Sequence, residues 1–246
     1  FSIATDDSLV PVDPSDLSSQ SEIASRIARF VPDKLAAHTA DVGLGAVVSC
    51  AHGPAAPAWP LFSSRPALRR AGSLRAVERI DLFDALPGHP RAKRTCYFYS
   101  HQEELKKMSR LPMLILFDGE MYAERLGVVQ VLDELIETGQ IRPLVAMFVG
   151  EGQLLREDGS SFCSCRDAEL LSGKIFADWV SSVLVPFSDS ELNNSPPKRT
   201  IGGVSLGGFQ SALCWGSRPD LFSGLVAQSP YLTPECLSIL CQSAVP

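Results

Sequence analysis

Apolar and polar residues follow two different periods in the second half of the chain. Continuous apolar runs at 111–117 and 144–149 are typical of strands that are buried on both faces of a sheet. Between the two runs, apolar residues recur three and four positions apart, as on one face of a helix: Leu126, Val129, Leu132, Leu135 and Ile136. The pattern therefore predicts a strand, a helix and a second strand, in that order.

The same two periods predict further elements on either side. Residues 74–83 and 94–99 resemble strands joined by the turn Pro87-Gly88-His89-Pro90, which predicts an antiparallel pair. After a predicted loop, an amphipathic helix is marked by Phe176, Trp179, Val180, Val183 and Leu184. A strand at 199–204, a helix at 206–215 and a strand at 224–228 follow. This alternation predicts an α/β fold with a mostly parallel sheet and helices on both faces.

The first part of the chain differs in composition. Seven prolines among Ser, Ala and Asp residues disfavour long helices and central strands there: Pro11, Pro14, Pro32, Pro54, Pro57, Pro60 and Pro66. We expect residues 1–73 to form a small or incomplete N-terminal accessory region. Residues 74–246 are then the α/β domain.

Charge and composition exclude several classes of protein. The chain has 28 acidic and 22 basic residues, a net charge of −6, which disfavours a nucleic-acid partner. No apolar run approaches the roughly 18 residues of a membrane span, so we expect a soluble protein without a membrane partner. Seven cysteines are too few for a disulfide scaffold, and this favours a cytoplasmic location. The sequence predicts no cofactor and no metal site.

One motif suggests catalytic chemistry. The segment Gly203-Val204-Ser205-Leu206-Gly207 has the pattern G-x-S-x-G and stands between a predicted strand and a predicted helix, which is the setting of a nucleophile elbow. There the helix N-terminus can stabilise an oxyanion beside the serine. The alternative is a glycine-rich turn that binds phosphate or only reverses the chain. The absence of a following lysine argues against a P-loop.

A second part of such a site is expected after the 111–117 strand. In α/β hydrolases one oxyanion donor is the N–H after the nucleophile, here Leu206, and the other comes from the loop after the third strand. Asp118-Gly119-Glu120 occupies that loop position, with Gly119 allowing the backbone to approach a substrate. A plain strand-ending turn explains these residues equally well.

In chain order, these segments resemble the enterochelin (enterobactin) esterase family, in the esterase-D-like branch of the α/β hydrolases. Residues 114–125 are similar to its strand and D-G-E segment, and 140–149 to its G-Q-I-x-P strand. Residues 166–170 resemble its R-x-x-E-L motif, 199–212 its elbow and 219–230 its P-x-x-F…Q-S-P strand. The resemblance extends over about residues 74–234 and implies an α/β-hydrolase three-layer sandwich.

The resemblance also implies an activity. It implies hydrolysis of the serine ester bonds of a cyclic catecholate siderophore, often as its ferric complex, so that iron is released in the cytoplasm. Ser205 is then the nucleophile, the backbone N–H groups of Leu206 and Glu120 hold the oxyanion, and Arg166 binds the substrate. The alternative for Arg166 is an ion pair with Glu169, three residues later.

The sequence leaves the catalytic base unassigned. After Ser205, 41 residues remain (246 minus 205) and none is a histidine; Asp220 and Glu235 are the only carboxylates there, and neither is assigned. The four histidines are His38, His52, His89 and His101. Because the family places its histidine in a later loop, we expect a chain truncated at its C-terminus that shows little activity by itself. The rival readings are a general carboxylesterase or acyltransferase, and a ligand-binding relative that has lost catalysis.

Overall fold

The computed structural model describes residues 38–41, 47–50, 72–79, 92–101, 110–193, 195–231, 233–234, 237–238 and 241. The chain forms two compact units, Phe1–Ser63 and Ser64–Pro246. In the first unit, strand β1 (His38–Asp41) pairs antiparallel with β2 (Val47–Cys50). The predicted division after residue 73 stays a prediction, and the predicted turn at 87–90 lies outside the described residues.

The second unit contains an eight-stranded sheet. Its strands are β3 (Ser73–Arg79), β4 (Ala92–Ser100), β5 (Met113–Phe117), β6 (Val145–Val149), β7 (Gln153–Leu155), β8 (Ser161–Ser164), β9 (Arg199–Val204) and β10 (Gly224–Gln228). Their order is β10-β9-β5-β6-β4-β7-β8, and β3 also pairs with β4. Strands β10, β9, β5 and β6 are parallel to one another, so their carboxyl ends meet at one edge of the sheet.

The remaining pairs are antiparallel, so the sheet is mixed. The predicted antiparallel pair is confirmed, because β3 pairs with β4 from Ser73 opposite Ser100 to Arg79 opposite Arg94. Strands β7 and β8 form an antiparallel extension of the sheet within a segment that the sequence pattern indicated as a loop. They are three and four residues long, which is too short to leave a clear periodic signal.

Helices cover both faces of this sheet. They are α1 (Val128–Glu137), α2 (Arg166–Leu171), α3 (Lys174–Trp179), α4 (Val185–Leu192) and α5 (Leu206–Ser217). The described residues also form two π-helical segments, Met121–Arg125 before α1 and Val180–Leu184, which joins α3 to α4. No helix among the described residues is long and apolar enough to cross a membrane.

The alternation of side chains along β5 and β6 divides the core into two layers. Ile115 and Met147 pack with Phe176 and other residues of the helices that follow β8. Leu116 and Phe148 point the other way, into the cluster that contains Leu132 of α1. The predicted α/β fold with helices on both faces of the sheet is therefore confirmed.

Candidate active site

Ser205 is the single residue between strand β9 and helix α5. Its φ of 55° and ψ of −117° lie in a backbone region that residues other than glycine rarely adopt. Hydrogen bonds fix this conformation: the Ser205 N–H donates to the carbonyl of Gln228 (3.0 Å), and its carbonyl accepts from the N–H groups of Phe209 and Tyr231 (both 3.0 Å). The serine is exposed at the sheet edge, as an elbow nucleophile needs to be.

The glycines around Ser205 allow strand and helix to approach closely. A Cβ on Gly203 would lie 2.7 Å from the carbonyl carbon of Gly207, which is closer than real Cβ contacts. A Cβ on Gly208 would lie 3.0 Å from the carbonyl oxygen of Gly203. The geometry thus gives a physical reason for the glycines of the G-x-S-x-G pattern.

The first turn of α5 provides backbone donors beside Ser205. The N–H of Phe209 donates to the carbonyl of Ser205, which is the first hydrogen bond of the helix. The N–H groups of Leu206, Gly207 and Gly208 precede it and, at a helix start, take no acceptor within the helix. They also carry the positive end of the helix dipole. The arrangement can therefore stabilise an anion that develops next to Ser205.

The predicted Asp118-Gly119-Glu120 loop lies beside this helix start. A Cβ on Gly207 would be 3.0 Å from Oδ2 of Asp118, so the Asp118 carboxylate lies against the first turn of α5. Asp118 has φ of 62°, and its carbonyl accepts from the N–H groups of Met121 (3.0 Å) and Tyr122 (3.3 Å). A Cβ on Gly119 would lie 2.6 Å from the backbone nitrogen of Gly150. Glycine is therefore required here for close approach to the end of β6.

Backbone strain is concentrated at this edge. Strands β5, β9 and β10 are neighbours, and the residue directly after each one has a positive φ: Asp118 (62°), Ser205 (55°) and Ser229 (41°). The described part of the chain has one other such residue that is not glycine, Asn193. Because strained backbone persists only where the surroundings enforce it, and such residues cluster at functional sites, this edge is the best candidate for the active site.

Glu120 lies at the start of the π-helical segment, with its carboxyl group close to the backbone of Gly150, where it leaves no room for a Cβ. Burial raises the pKa of Glu120, and the nearby Glu151 carboxylate raises it further, against the opposing effect of Arg94. The side chain thus packs towards β6. The predicted oxyanion role of the Glu120 backbone stays a prediction.

Arg166, the first residue of α2, forms a two-pronged ion pair with Asp118. Its Nε donates to Oδ1 (2.5 Å) and its Nη2 to Oδ2 (3.0 Å). Its Nη1 donates to Asp167 (3.2 Å). The Asp118 side chain is 5% exposed and that of Arg166 27%. Hydrogen bonding to Asp118 raises the pKa of Arg166, so the guanidinium stays charged.

The alternative pairing of Arg166 with Glu169 is wrong, because Glu169 points into the core. Its carboxylate accepts from Nη2 of Arg94 on β4 and from the N–H of Gly152 (3.2 Å). Arg94 also donates to the carbonyl of Gly150 and lies 4.8 Å over the ring of Trp179. Both charged side chains are almost fully buried, at 1% and 2% exposure. This pair fixes the loop after β6, next to Glu120.

One more contact connects the strand ends on either side of Ser205. The hydroxyl of Tyr122, in the π-helical segment after β5, donates to Oε1 of Gln228 at the end of β10 (2.6 Å). Burial, together with the Asp118 carboxylate, raises the pKa of Tyr122 to about 12, so the phenol remains a donor. Sequence reasoning missed this contact, since its two residues are 106 positions apart.

Other candidates for acid and base lie elsewhere. His101 follows β4, which runs antiparallel to β6, so it lies at the opposite edge of the sheet from Ser205, 3.7 Å from Asp133. Asp220 precedes β10, also at that opposite edge, and is paired with Arg218 (2.6 Å). His52, His89 and Glu235 lie outside the described residues, which contain no cluster of three or more His, Cys, Asp or Glu side chains suited to a metal.

The part of the chain that matches a known family falls within the second unit. Residues 90–244 match the family model described as "Putative esterase", which is more than half of the 246 residues. The chain belongs to this esterase family. A search of curated proteins finds no match to this member of the family.

Solved structures similar to this esterase-family chain include two enterobactin esterases. The enterochelin esterase from Shigella flexneri is 20% identical with a TM-score of 0.59, over 86% of this chain and 50% of that chain. The ferric enterobactin esterase from Salmonella typhimurium is 19% identical with a TM-score of 0.63, over 92% and 54%. A ferulic acid esterase is 18% identical with a TM-score of 0.50, over 71% and 67%.

At these identities the likeness establishes the fold. This chain spans about half the length of the two enterobactin esterases that it matches. The resemblance to the enterochelin esterase family is consistent with these matches, and the α/β fold expected from it is confirmed.

Proposed function

We propose that this protein is a serine esterase with Ser205 as its nucleophile. The observation that carries the proposal is the elbow: an exposed serine with φ of 55°, directly between a parallel strand and a helix N-terminus. Membership of the esterase family supports it. A glycine-rich turn that only reverses the chain gives no reason to place a strained serine at this position.

In this mechanism the Ser205 Oγ attacks the carbonyl carbon of an ester, and its proton passes to a general base. The carbonyl oxygen becomes an oxyanion, held by the N–H of Leu206 at the start of α5 and by the N–H of Glu120, with Gly119 keeping that loop close to β6. Collapse of the intermediate expels the alcohol and leaves an acyl-enzyme. The base returns its proton to the departing alcohol. Water then attacks the acyl-enzyme, its proton passing through the base to Ser205 Oγ, and the carboxylic acid product leaves.

The proposed substrate is a catecholate siderophore such as enterobactin, as its free or ferric form, cleaved in the cytoplasm so that iron is released. The structural neighbours include enterobactin esterases, and the one from Shigella flexneri was crystallised in the presence of enterobactin. The expected contact of Arg166 with the substrate has some support: about a quarter of its side chain is exposed, and a guanidinium can donate to the oxygens of an anionic catecholate. Its two hydrogen bonds to Asp118 favour a positioning role over that contact. Iron enters this scheme as cargo of the substrate.

The test compares Ser205→Ala with Ser229→Ala in the full-length protein. Both serines are exposed, have positive φ and lie at the same sheet edge, so the two substitutions carry similar strain. Release of dihydroxybenzoyl-serine from enterobactin is followed by chromatography. Loss of a serine nucleophile lowers kcat by about 10⁶-fold, so Ser205→Ala should abolish the release and Ser229→Ala should retain it. Undiminished release by Ser205→Ala would refute the nucleophile.

A general carboxylesterase is the second candidate, favoured by the similarity of the fold to a ferulic acid esterase. A panel of simple acyl esters and feruloyl esters, assayed beside enterobactin, separates the two by kcat/KM. Higher kcat/KM for enterobactin supports the siderophore esterase. Binding of the siderophore without any turnover would instead indicate a ligand-binding relative.

A further inference from the structure

The ion pair between Asp118 and Arg166 lies beside the two segments that are proposed to hold the oxyanion. The Asp118 carboxylate touches the first turn of α5, since a Cβ on Gly207 would be 3.0 Å from its Oδ2. That turn carries the Leu206 N–H proposed to hold the oxyanion. Asp118 also begins the loop that supplies the second proposed donor. One buried carboxylate therefore borders both halves of the proposed oxyanion site.

A carboxylate in this position is an electrostatic problem for ester hydrolysis. Like charges repel, and the repulsion is strong where little water screens it; Asp118 is only 5% exposed. An unpaired charge within about 6 Å of a developing oxyanion changes the rate about a hundredfold at the effective dielectric of a protein. The site needs a cation that cancels the charge of Asp118.

Arg166 has the geometry for that task. Its Nε and Nη2 face the two oxygens of Asp118 at 2.5 and 3.0 Å, the parallel arrangement in which guanidinium and carboxylate fit each other. The pair joins the loop after β5 to the start of α2, across 48 positions of sequence. The guanidinium thus donates two hydrogen bonds to Asp118 and one to Asp167.

We propose, on the basis of the proposed esterase function, that Asp118 and Arg166 are positioning residues: Asp118 holds the oxyanion loop in place, and Arg166 neutralises Asp118. This differs from a substrate contact. If Arg166 acts through Asp118, its removal matters because a buried carboxylate is left unpaired, and removing that charge as well should restore the rate. If Arg166 acts by binding substrate, removing Asp118 as well restores nothing.

The experiment is a double-mutant cycle in the full-length protein with Arg166→Gln, Asp118→Asn and the double variant Asp118→Asn/Arg166→Gln. Asn keeps the shape of the Asp118 side chain without its charge, and Gln is shorter than Arg166 but keeps a polar amide without the charge. Values of kcat and KM for enterobactin and for a small neutral acyl ester are measured, with thermal melting as a check of folding. Ser205→Ala is assayed in parallel.

We expect kcat of Arg166→Gln to fall about a hundredfold on both substrates, with KM changed less than threefold. The double variant should recover at least tenfold of that loss. A KM increase confined to the anionic siderophore, or a double variant no faster than Arg166→Gln, would overturn the inference and favour a substrate contact. An unchanged kcat in Arg166→Gln would also overturn it.

Two controls separate these outcomes from other failures. If Ser205→Ala retains full activity, the proposed function is wrong and this inference falls with it, whereas loss of activity in Ser205→Ala without rescue in the double variant removes the inference alone. If Arg166→Gln is unfolded, the folded double variant decides: recovery of kcat to within tenfold of wild type supports the neutralising role, and a larger deficit contradicts it.

Discussion

The close packing at Gly203 allows a quantitative prediction for Gly203→Ala. The added Cβ would lie 2.7 Å from the carbonyl carbon of Gly207 and 2.9 Å from its carbonyl oxygen, both backbone atoms. Carbon atoms pack at about 3.5 Å, so strand β9 and helix α5 must separate by roughly 0.8 Å. The shift moves the helix start, including the N–H of Leu206, relative to the neighbouring strand ends.

Two effects should follow from this separation. Overpacking of a well-packed site costs about 1–3 kcal/mol in the free energy of unfolding. For a chain of this size, 2 kcal/mol corresponds to a decrease of about 4–8 °C in Tm. A misplacement near 1 Å in an active site can lower the rate by about a hundredfold, so the proposed ester hydrolysis should lose most of its kcat.

The matched control is Gly139→Ala, after helix α1. Gly139 has a φ of 71°, and no described atom lies within 4 Å of a Cβ built on it. Its substitution carries a strain of about 1–2 kcal/mol, similar to the cost expected at Gly203. Both variants and the wild type are compared by thermal melting and by kcat on one ester substrate. If Gly203→Ala keeps kcat within threefold of wild type, or Gly139→Ala loses as much, the reasoning is refuted.

Three further predictions concern contacts around the site. Arg94→Met should lower the free energy of unfolding, measured in urea, by about 3–5 kcal/mol, because Glu169 is left buried without its partner. The double variant Arg94→Met/Glu169→Leu should recover most of this free energy, and no recovery would contradict the argument. Tyr122→Phe should lower the free energy of unfolding by about 1 kcal/mol, because it removes the hydrogen bond to Gln228. An unchanged urea midpoint would show that this bond contributes nothing to stability. Because burial raises the pKa of Glu120, its stabilising contribution is present below the ordinary glutamate pKa and is lost as pH rises through the raised value. The stability difference between wild type and Glu120→Gln should therefore favour wild type more at pH 4 than at pH 7, and a pH-independent difference would contradict the predicted shift.

The elements with a strong apolar period could be predicted from sequence. The run at 111–117 contains β5, and the run at 144–149 contains β6, because a strand buried on both faces needs consecutive apolar side chains. Helix α1 follows from its apolar face. By contrast, β7 and β8 are short and lie at the margin of the sheet, where pairing rather than burial determines the backbone.

The candidate site could be predicted only in part. The glycine pattern indicated Ser205, because its neighbours must be small whatever the rest of the fold is. The charged partners could not be predicted, since Asp118 pairs with Arg166 across 48 positions and Arg94 with Glu169 across 75. One signal was available for Arg94. It is separated by two positions from Ala92 and Cys96 on β4, so it lies on the same face of the sheet as these apolar residues and Phe98.

The three strained residues explain why these distant contacts are needed. Each positive φ after β5, β9 and β10 costs of order 1–3 kcal/mol, so the three turns would relax unless other contacts opposed it. The hydrogen bonds of Ser205 to Gln228 and Tyr231 hold the middle turn. The Arg166 pair holds the Asp118 turn, and Tyr122 links the outer two strands through Gln228. Strain at Ser205 is thus maintained by hydrogen bonds from the β10 side, and Tyr122 connects that side to the end of β5. Weakening either contact should alter the geometry of the serine before it unfolds the sheet.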